Sequence, residues 1–286
     1  MHREKLDLSH RDIIMGSLSE SQLPFSEYSF TNLYLFRDIH DYHVSTYNNL
    51  VLIDGITRDK NHYAMPLFDL LSVGKENLDS ILIEHGMLFP VHSEQIEKLD
   101  PSSYEWNYSP DDSDYLFTKG KLIDYPGRNL HKKRNLLKQF LTGYEWRSEP
   151  LDNSKQTDAF LLLDAWQTAT GMPNTATDYL SCREAIIRMK EFNLSGEIIY
   201  VDDTPAGFVL GEMISRNVFA LHFAKCNTHF KGIYQFIYNH YAKLLPQTCE
   251  WINFEQDLGI PALRQAKETY EPDIMAHKYR LKLRTV

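Results

Sequence analysis

The sequence predicts an α+β protein whose two halves repeat one theme, each a mixed, mainly antiparallel sheet with flanking helices. In the second half, residues 157–168 and 180–193 carry apolar side chains at helical spacing. Three strand-like runs follow at 196–201, 206–214 and 218–226, separated by the turns Asp202-Asp203 and Ser215-Arg216-Asn217. The first half repeats the order helix, three strands, helix, strand more loosely. A length of 286 residues suits two domains of ordinary size. The expected division is 1–147 and 148–286, with the polar stretch 148–156 as the connection.

The elements follow in order. Residues 25–40 open with a loop and turn into a helix with Ser29 or Thr31 as cap and Leu33, Phe36 and Ile39 inward. Runs 42–47 and 50–56 flank Asn48-Asn49, a pair suited to a hairpin turn because asparagine tolerates the left-handed region. A third strand at 62–67 follows, then helix 76–85, strand 87–91, helix 93–99 and strands 104–108 and 114–118. A basic helix, 127–141, comes after Pro126. After the second-half strands come a helix at 232–245, a short strand at 251–254, a helix at 260–270 and a last strand at 278–283.

Composition narrows the function classes. The chain is 43% hydrophobic and 24% charged, which is that of a globular protein with ample core. Its formal charge of −9 disfavours a general nucleic-acid coat or a polybasic membrane binder, though a local basic patch is compatible with it. The charged start MHREKLDLSHRD has no secretory apolar core, and no apolar run approaches a membrane span. Three cysteines far apart read as reduced thiols, so the expected location is cytoplasmic. Among twelve histidines only His40 and His43 are spaced as a pair, across a helix–strand boundary, and no metal site is expected. There is no G-x-S-x-G elbow, and no serine or cysteine has a recognisable partner histidine in the sequence.

The stretch 217–245, NVFALHFAKCNTHFKGIYQFIYNHYAKLL, reads as strand, one-glycine turn and helix. The first N–H groups of such a helix lack intrahelical partners and suit an anion. One glycine at such a turn is also common for purely structural reasons, and that alternative stands beside the first.

That order of elements resembles GNAT-type N-acyltransferases. The stretches NLYLFRDIHDY, GKLIDYPGRNLHKKRNLLKQF, AKCNTHFKGIYQFIYNHYA and WINFEQDLGIPALRQAKETYEP together resemble an uncharacterised bacterial family related to the C-terminal domain of phosphatidylglycerol lysyltransferase. The resemblance implies two GNAT-like domains in tandem, a fold shared with Fem-type aminoacyltransferases. It implies an acyl- or aminoacyltransferase that draws on aminoacyl-tRNA or acyl-CoA as donor, with no permanently bound cofactor. A tRNA acceptor end or a small molecule would be the partner, and an amine or hydroxyl the acceptor. A non-catalytic module of the same fold, binding a tRNA end or a small acylated ligand, is the second reading.

Acyl transfer needs deprotonation of the acceptor, a stabilised oxyanion and alignment of both substrates. In GNAT-like folds two central strands splay and expose backbone N–H groups; here that is expected at Ala224–Asn227. Asn227 equally suits shaping the turn. Glu255 and Asp257, in NFEQDLG after a short strand, are candidates to bind an ammonium or act as base, while Asp257 alternatively caps the next helix. Lys231, Gly232, Ile233 and Tyr234 are the candidate donor loop, poorer in glycine than coenzyme A loops usually are. Arg128, Lys132, Lys133 and Arg134 form the strongest positive patch and are candidates for donor phosphates. Alternatively Arg134 is internal and the lysines are solvated. His222, inside a strand, reads as a satisfied interior residue.

Overall fold

The structure, a computed structural model, describes residues 3–18 and 24–284. In chain order the first elements are β1 (Arg3–Lys5), α1 (Arg11–Leu18), α2 (Phe30–Leu35), β2 (His43–Tyr47), β3 (Leu50–Ile56), β4 (His62–Pro66), α3 (Lys75–His85) and β5 (Leu88–Val91). Next are α4 (Ser93–Ile96), β6 (Tyr104–Tyr108), β7 (Asp114–Thr118), α5 (Lys119–Asp124), α6 (His131–Gly143) and β8 (Trp146–Pro150). Then come α7 (Gln156–Thr170), α8 (Tyr179–Arg188), β9 (Ser195–Val201), β10 (Thr204–Met213) and β11 (Val218–Cys226). The chain closes with α9 (Ile233–Leu244), β12 (Trp251–Asn253), α10 (Pro261–Glu268), β13 (Ile274–Ala276) and β14 (Tyr279–Leu283).

The chain forms two compact units. Unit 1 takes the chain up to Asp114, Gln256–Arg264 and the residues from Met275; unit 2 takes Tyr115–Glu255 and Gln265–Ile274. The expected boundary at 147/148 is therefore corrected. The basic helix α6 belongs to unit 2, where Phe140 stacks on Phe236 of α9 with ring centroids 4.4 Å apart. The expected connection 148–156 holds β8, an outer strand paired antiparallel with β9, and the start of α7.

Unit 1 carries a seven-stranded sheet in the order β1-β2-β3-β4-β5-β14-β6. Asn48 and Asn49 join β2 to β3 with φ of +48° and +67°, the left-handed pair that a tight hairpin requires. Ser29 caps α2, its side chain accepting from the Asn32 N–H. The α3 residues Leu78, Ile81 and Leu82 pack with Leu52, Ala64, Leu88 and Leu281 of the sheet. Each such leucine or isoleucine contributes about 2 kcal/mol by leaving water. A charged cluster lies in the same unit. The Lys278 ammonium is fully buried and donates to Glu27 at 2.8 Å and Asp114 at 2.5 Å, while the Ser26 N–H donates to Asp114.

Unit 2 carries the order β13-β7-β12-β11-β10-β9-β8. β9, β10 and β11 form an antiparallel meander, and β12 returns parallel to β11 after α9. Strand 114–118, expected to close the first half, thus pairs with β12; the last strand, expected in the second half, lies between β5 and β6. β7 is buried along most of its length and β14 alternates, and neither local pattern names the sheet a strand joins.

Candidate functional site

The site begins where two strands part. β11 pairs with β12 only through Val218↔Trp251, Phe219↔Ile252 and Ala220↔Asn253, then runs on to Cys226 beside β10 alone. The splay therefore opens after Ala220, earlier than the expected Ala224–Asn227. In the same region the β10–β11 register shifts, with Leu210 facing Phe223 and Glu212 facing Ala220, an irregularity of the kind that re-aims side chains.

At that irregularity stands His222. Its side chain is fully buried, and its two ring nitrogens meet two carboxylates: Nδ1 lies 2.8 Å from Glu255 Oε1 and Nε2 3.1 Å from Glu212 Oε1. Burial alone would lower its pKa. The hydrogen bonds and charges of Glu212 and Glu255 outweigh that and raise it to about 10, so the ring is an imidazolium at neutral pH. Both carboxylates keep a partly exposed surface, 17% for Glu212 and 15% for Glu255. A cation beneath two anions fixes their rotamers.

Glu255 is held in an uncommon backbone conformation, φ +60°. Its N–H donates to Asn253 Oδ1 at 2.6 Å, and its carbonyl accepts from Lys267 Nζ at 3.1 Å and from the Tyr115 N–H at 3.3 Å. Strain of this kind persists where the surroundings over-determine it, and it clusters at functional sites.

Other predicted residues take different places. Asn227 shapes the loop: its Oδ1 accepts from the His229 N–H at 3.0 Å and its carbonyl from the Phe230 N–H. The Lys231 N–H donates to the Tyr144 hydroxyl at 3.0 Å, and the Ile233 N–H to the Phe230 carbonyl. The loop's amides at positions 229, 230, 231 and 233 thus already have acceptors within the chain. Gly232 has φ +89°, and a Cβ there would meet the Leu136 carbonyl of α6, so helix packing explains this glycine. Ile233 is core. Tyr234 is half-buried, its ring 5.9 Å from Tyr238 and its hydroxyl at the Cys226 backbone.

The basic residues divide as well. Arg134 donates to the Tyr125 and Gly127 carbonyls and so holds the turn before α6. Arg128 and Lys132 are exposed. Lys133 is half-buried, its Nζ 3.7 Å over the Tyr270 ring and 2.8 Å from Thr269 Oγ1, with no carboxylate of the described residues within ion-pair distance. Burial lowers its pKa to about 8. Asp257 is fully buried in unit 1, accepting from the Gly259 N–H and from two nitrogens of Arg264; α10 starts only at Pro261, so the carboxylate holds the turn before that helix.

Sequence reasoning missed the partners. Glu212 lies ten residues before His222 and reaches it only through the β10–β11 register; the one signal was a carboxylate ending the apolar run AGFVLGEM. Also missed was Lys225, buried in β11, which donates to both oxygens of Asp178 and lies 3.7 Å over the Trp166 ring. Among the described residues no group of three His, Cys, Asp or Glu side chains could hold a metal ion, and no helix is long and apolar enough to cross a membrane.

Two sheets with flanking helices, one of them with a splayed strand pair, make two GNAT-like domains in tandem. A tandem GNAT protein from the clavulanic acid biosynthesis pathway has a similar fold (TM-score 0.52, 7% identity, 99% of this chain and 98% of that one). The chain belongs to the family described as phosphatidylglycerol lysyltransferase, C-terminal, which it matches over residues 20–282. A conserved protein of unknown function from Bacteroides thetaiotaomicron is similar throughout (TM-score 0.85, 22% identity, 99% of each chain). L-PGS from Bacillus licheniformis shares the fold (TM-score 0.58, 11% identity, 98% of this chain and 92% of that one).

Proposed function

We propose that this protein transfers an acyl or aminoacyl group from an activated ester or thioester to an amine or hydroxyl, with the chemistry beside Glu255 in unit 2. The observation that carries this is the strained, multiply anchored Glu255, whose carboxylate rests on the buried His222 cation at the end of the strand splay. Family membership supports the reaction class, since the family is described by a lysyltransferase.

In this reading the carboxylates of Glu212 and Glu255 face the amine-bearing partner. They hold the ammonium of an aminoacyl donor or draw the proton from an amine acceptor as it attacks. The partly exposed oxygens of these carboxylates favour a cationic amine over an anion. β11 residues beyond Ala220, which no longer pair with β12, supply backbone groups for the donor carbonyl. Lys133, half-buried and without a carboxylate partner among the described residues, meets the donor's anionic portion, while Arg128 and Lys132 extend that positive surface outward. The amides of the 227–233 loop contribute only after the Tyr144 hydroxyl and Asn227 give way, so this donor loop is secondary.

Thermal shift with coenzyme A, acetyl-CoA, and charged and uncharged tRNA at low and moderate salt tests the donor. A ligand that binds the folded state raises the unfolding temperature by mass action. Preference for charged over uncharged tRNA, with affinity falling steeply with salt, supports the aminoacyl donor. Stabilisation by acetyl-CoA alone supports a small-molecule acyltransferase. Stabilisation by none of the four contradicts the donor assignment.

A further inference from the structure

At the opposite edge of the second sheet from β13, a serine meets a histidine. Ser148, half-buried in the outermost strand β8, has its Oγ 2.9 Å from Nε2 of His240 on α9. The imidazole is fixed by its packing: it stacks on Phe236 at 5.3 Å, and Trp146 meets it edge-on at 5.6 Å. Glu197, buried in β9, places a carboxylate oxygen 4.0 Å from the same Nε2. A nucleophile within hydrogen-bond reach of a base held in place by its neighbours can be activated by it; here the Glu197 carboxyl stands on the serine's side of the ring, where it also accepts from Ser148. No local spacing marks the pair, because 92 residues separate the serine from the histidine.

We propose that Ser148 is an ester-reactive nucleophile, with His240 as its base, that accepts an acyl group from small activated esters. The Oγ–H proton passes to His240 Nε2 as Oγ attacks the acyl carbon. The bond from that carbon to the departing alcohol oxygen breaks, and the alcohol leaves with the proton from His240. Ser148 is left as an ester and His240 neutral, so no further reactant is needed. Burial and the charge of Lys243 lower the His240 pKa, which keeps the ring neutral and able to accept the proton at neutral pH. The Glu197 carboxyl favours the imidazolium while it exists. β8 is an edge strand, so an ester can approach from solvent.

The test exposes the purified protein to p-nitrophenyl acetate at neutral pH and locates acetyl groups by peptide mass spectrometry. The proposal expects acetylation of Ser148, loss of that adduct in Ser148→Ala, and a rate about a hundredfold lower in His240→Asn. Ser148→Cys, which keeps size and nucleophilicity, acquires acetyl at the same position and serves if the alanine variant unfolds. Absence of acetyl on residue 148 in both the native protein and the cysteine variant overturns the proposal. So does an undiminished rate in a folded His240→Asn protein. Neither result bears on transfer at Glu255, which does not involve these residues.

Discussion

Glu212, His222 and Glu255 form a unit in which each member sets the others' state. A buried imidazole without charged partners would be neutral; here two carboxylates keep it protonated, with a pKa of about 10. NMR of labelled His222 should therefore show no titration around neutral pH in the native protein. In Glu212→Gln or Glu255→Gln its pKa should fall by at least about one unit, because each substitution removes one charged acceptor. Titration of native His222 below about pH 7 would contradict the ion cluster. Sequence reading singled out Glu255 as a candidate from its place after a short strand and took His222 for an ordinary interior residue. The reason is physical. His222 is indeed interior and satisfied, but its partners come from β10 and from beyond β12, and no spacing within β11 indicates them.

At the scale of elements, the hairpin at Asn48-Asn49, the Ser29 cap and the β11–α9 passage were legible because each is written in adjacent residues. Gly232 was legible only in part. Its position marked the helix start, but the contact that demands glycine comes from α6, almost a hundred residues earlier in the chain. Gly232→Ala should cost roughly 2–4 kcal/mol, since it combines a positive φ with a clash against backbone. Urea denaturation measures this; a loss under about 0.5 kcal/mol would show that α6 yields freely. Lys133→Met, which keeps the stem over Tyr270 and removes the charge, should leave stability nearly unchanged and weaken binding of an anionic donor several-fold. Unaltered donor binding in that variant would remove Lys133 from the site.

For the whole molecule, the membership of strands was the least legible property. β7 and β14 were both recognised as strands, but each joins the sheet of the other half, a long-range pairing that a local pattern cannot specify. The same long-range assembly creates the buried cluster of Glu27, Asp114 and Lys278. Burial pushes the Glu27 carboxyl up to about 7, against the pull of Lys278 and with the help of Asp114. Between its ordinary value of 4.5 and about 7, the folded protein holds a proton that the unfolded chain has released. Stability from this group is thus present below about pH 4.5, falls as pH rises, and is level above about 7. Glu27→Gln mimics the protonated form, so it should gain stability relative to the native protein across that window. A stability difference independent of pH would contradict the shared proton.

Turnover is the first readout for a role of Glu255 in acyl transfer. Donor consumption would be followed with charged tRNA and with acetyl-CoA, for the native protein and for folded Glu255→Gln. The account predicts many equivalents consumed by the native protein and a rate about a hundredfold lower in the variant, with donor binding retained. No more than one equivalent consumed by the native protein, or an equal rate in Glu255→Gln, would contradict it.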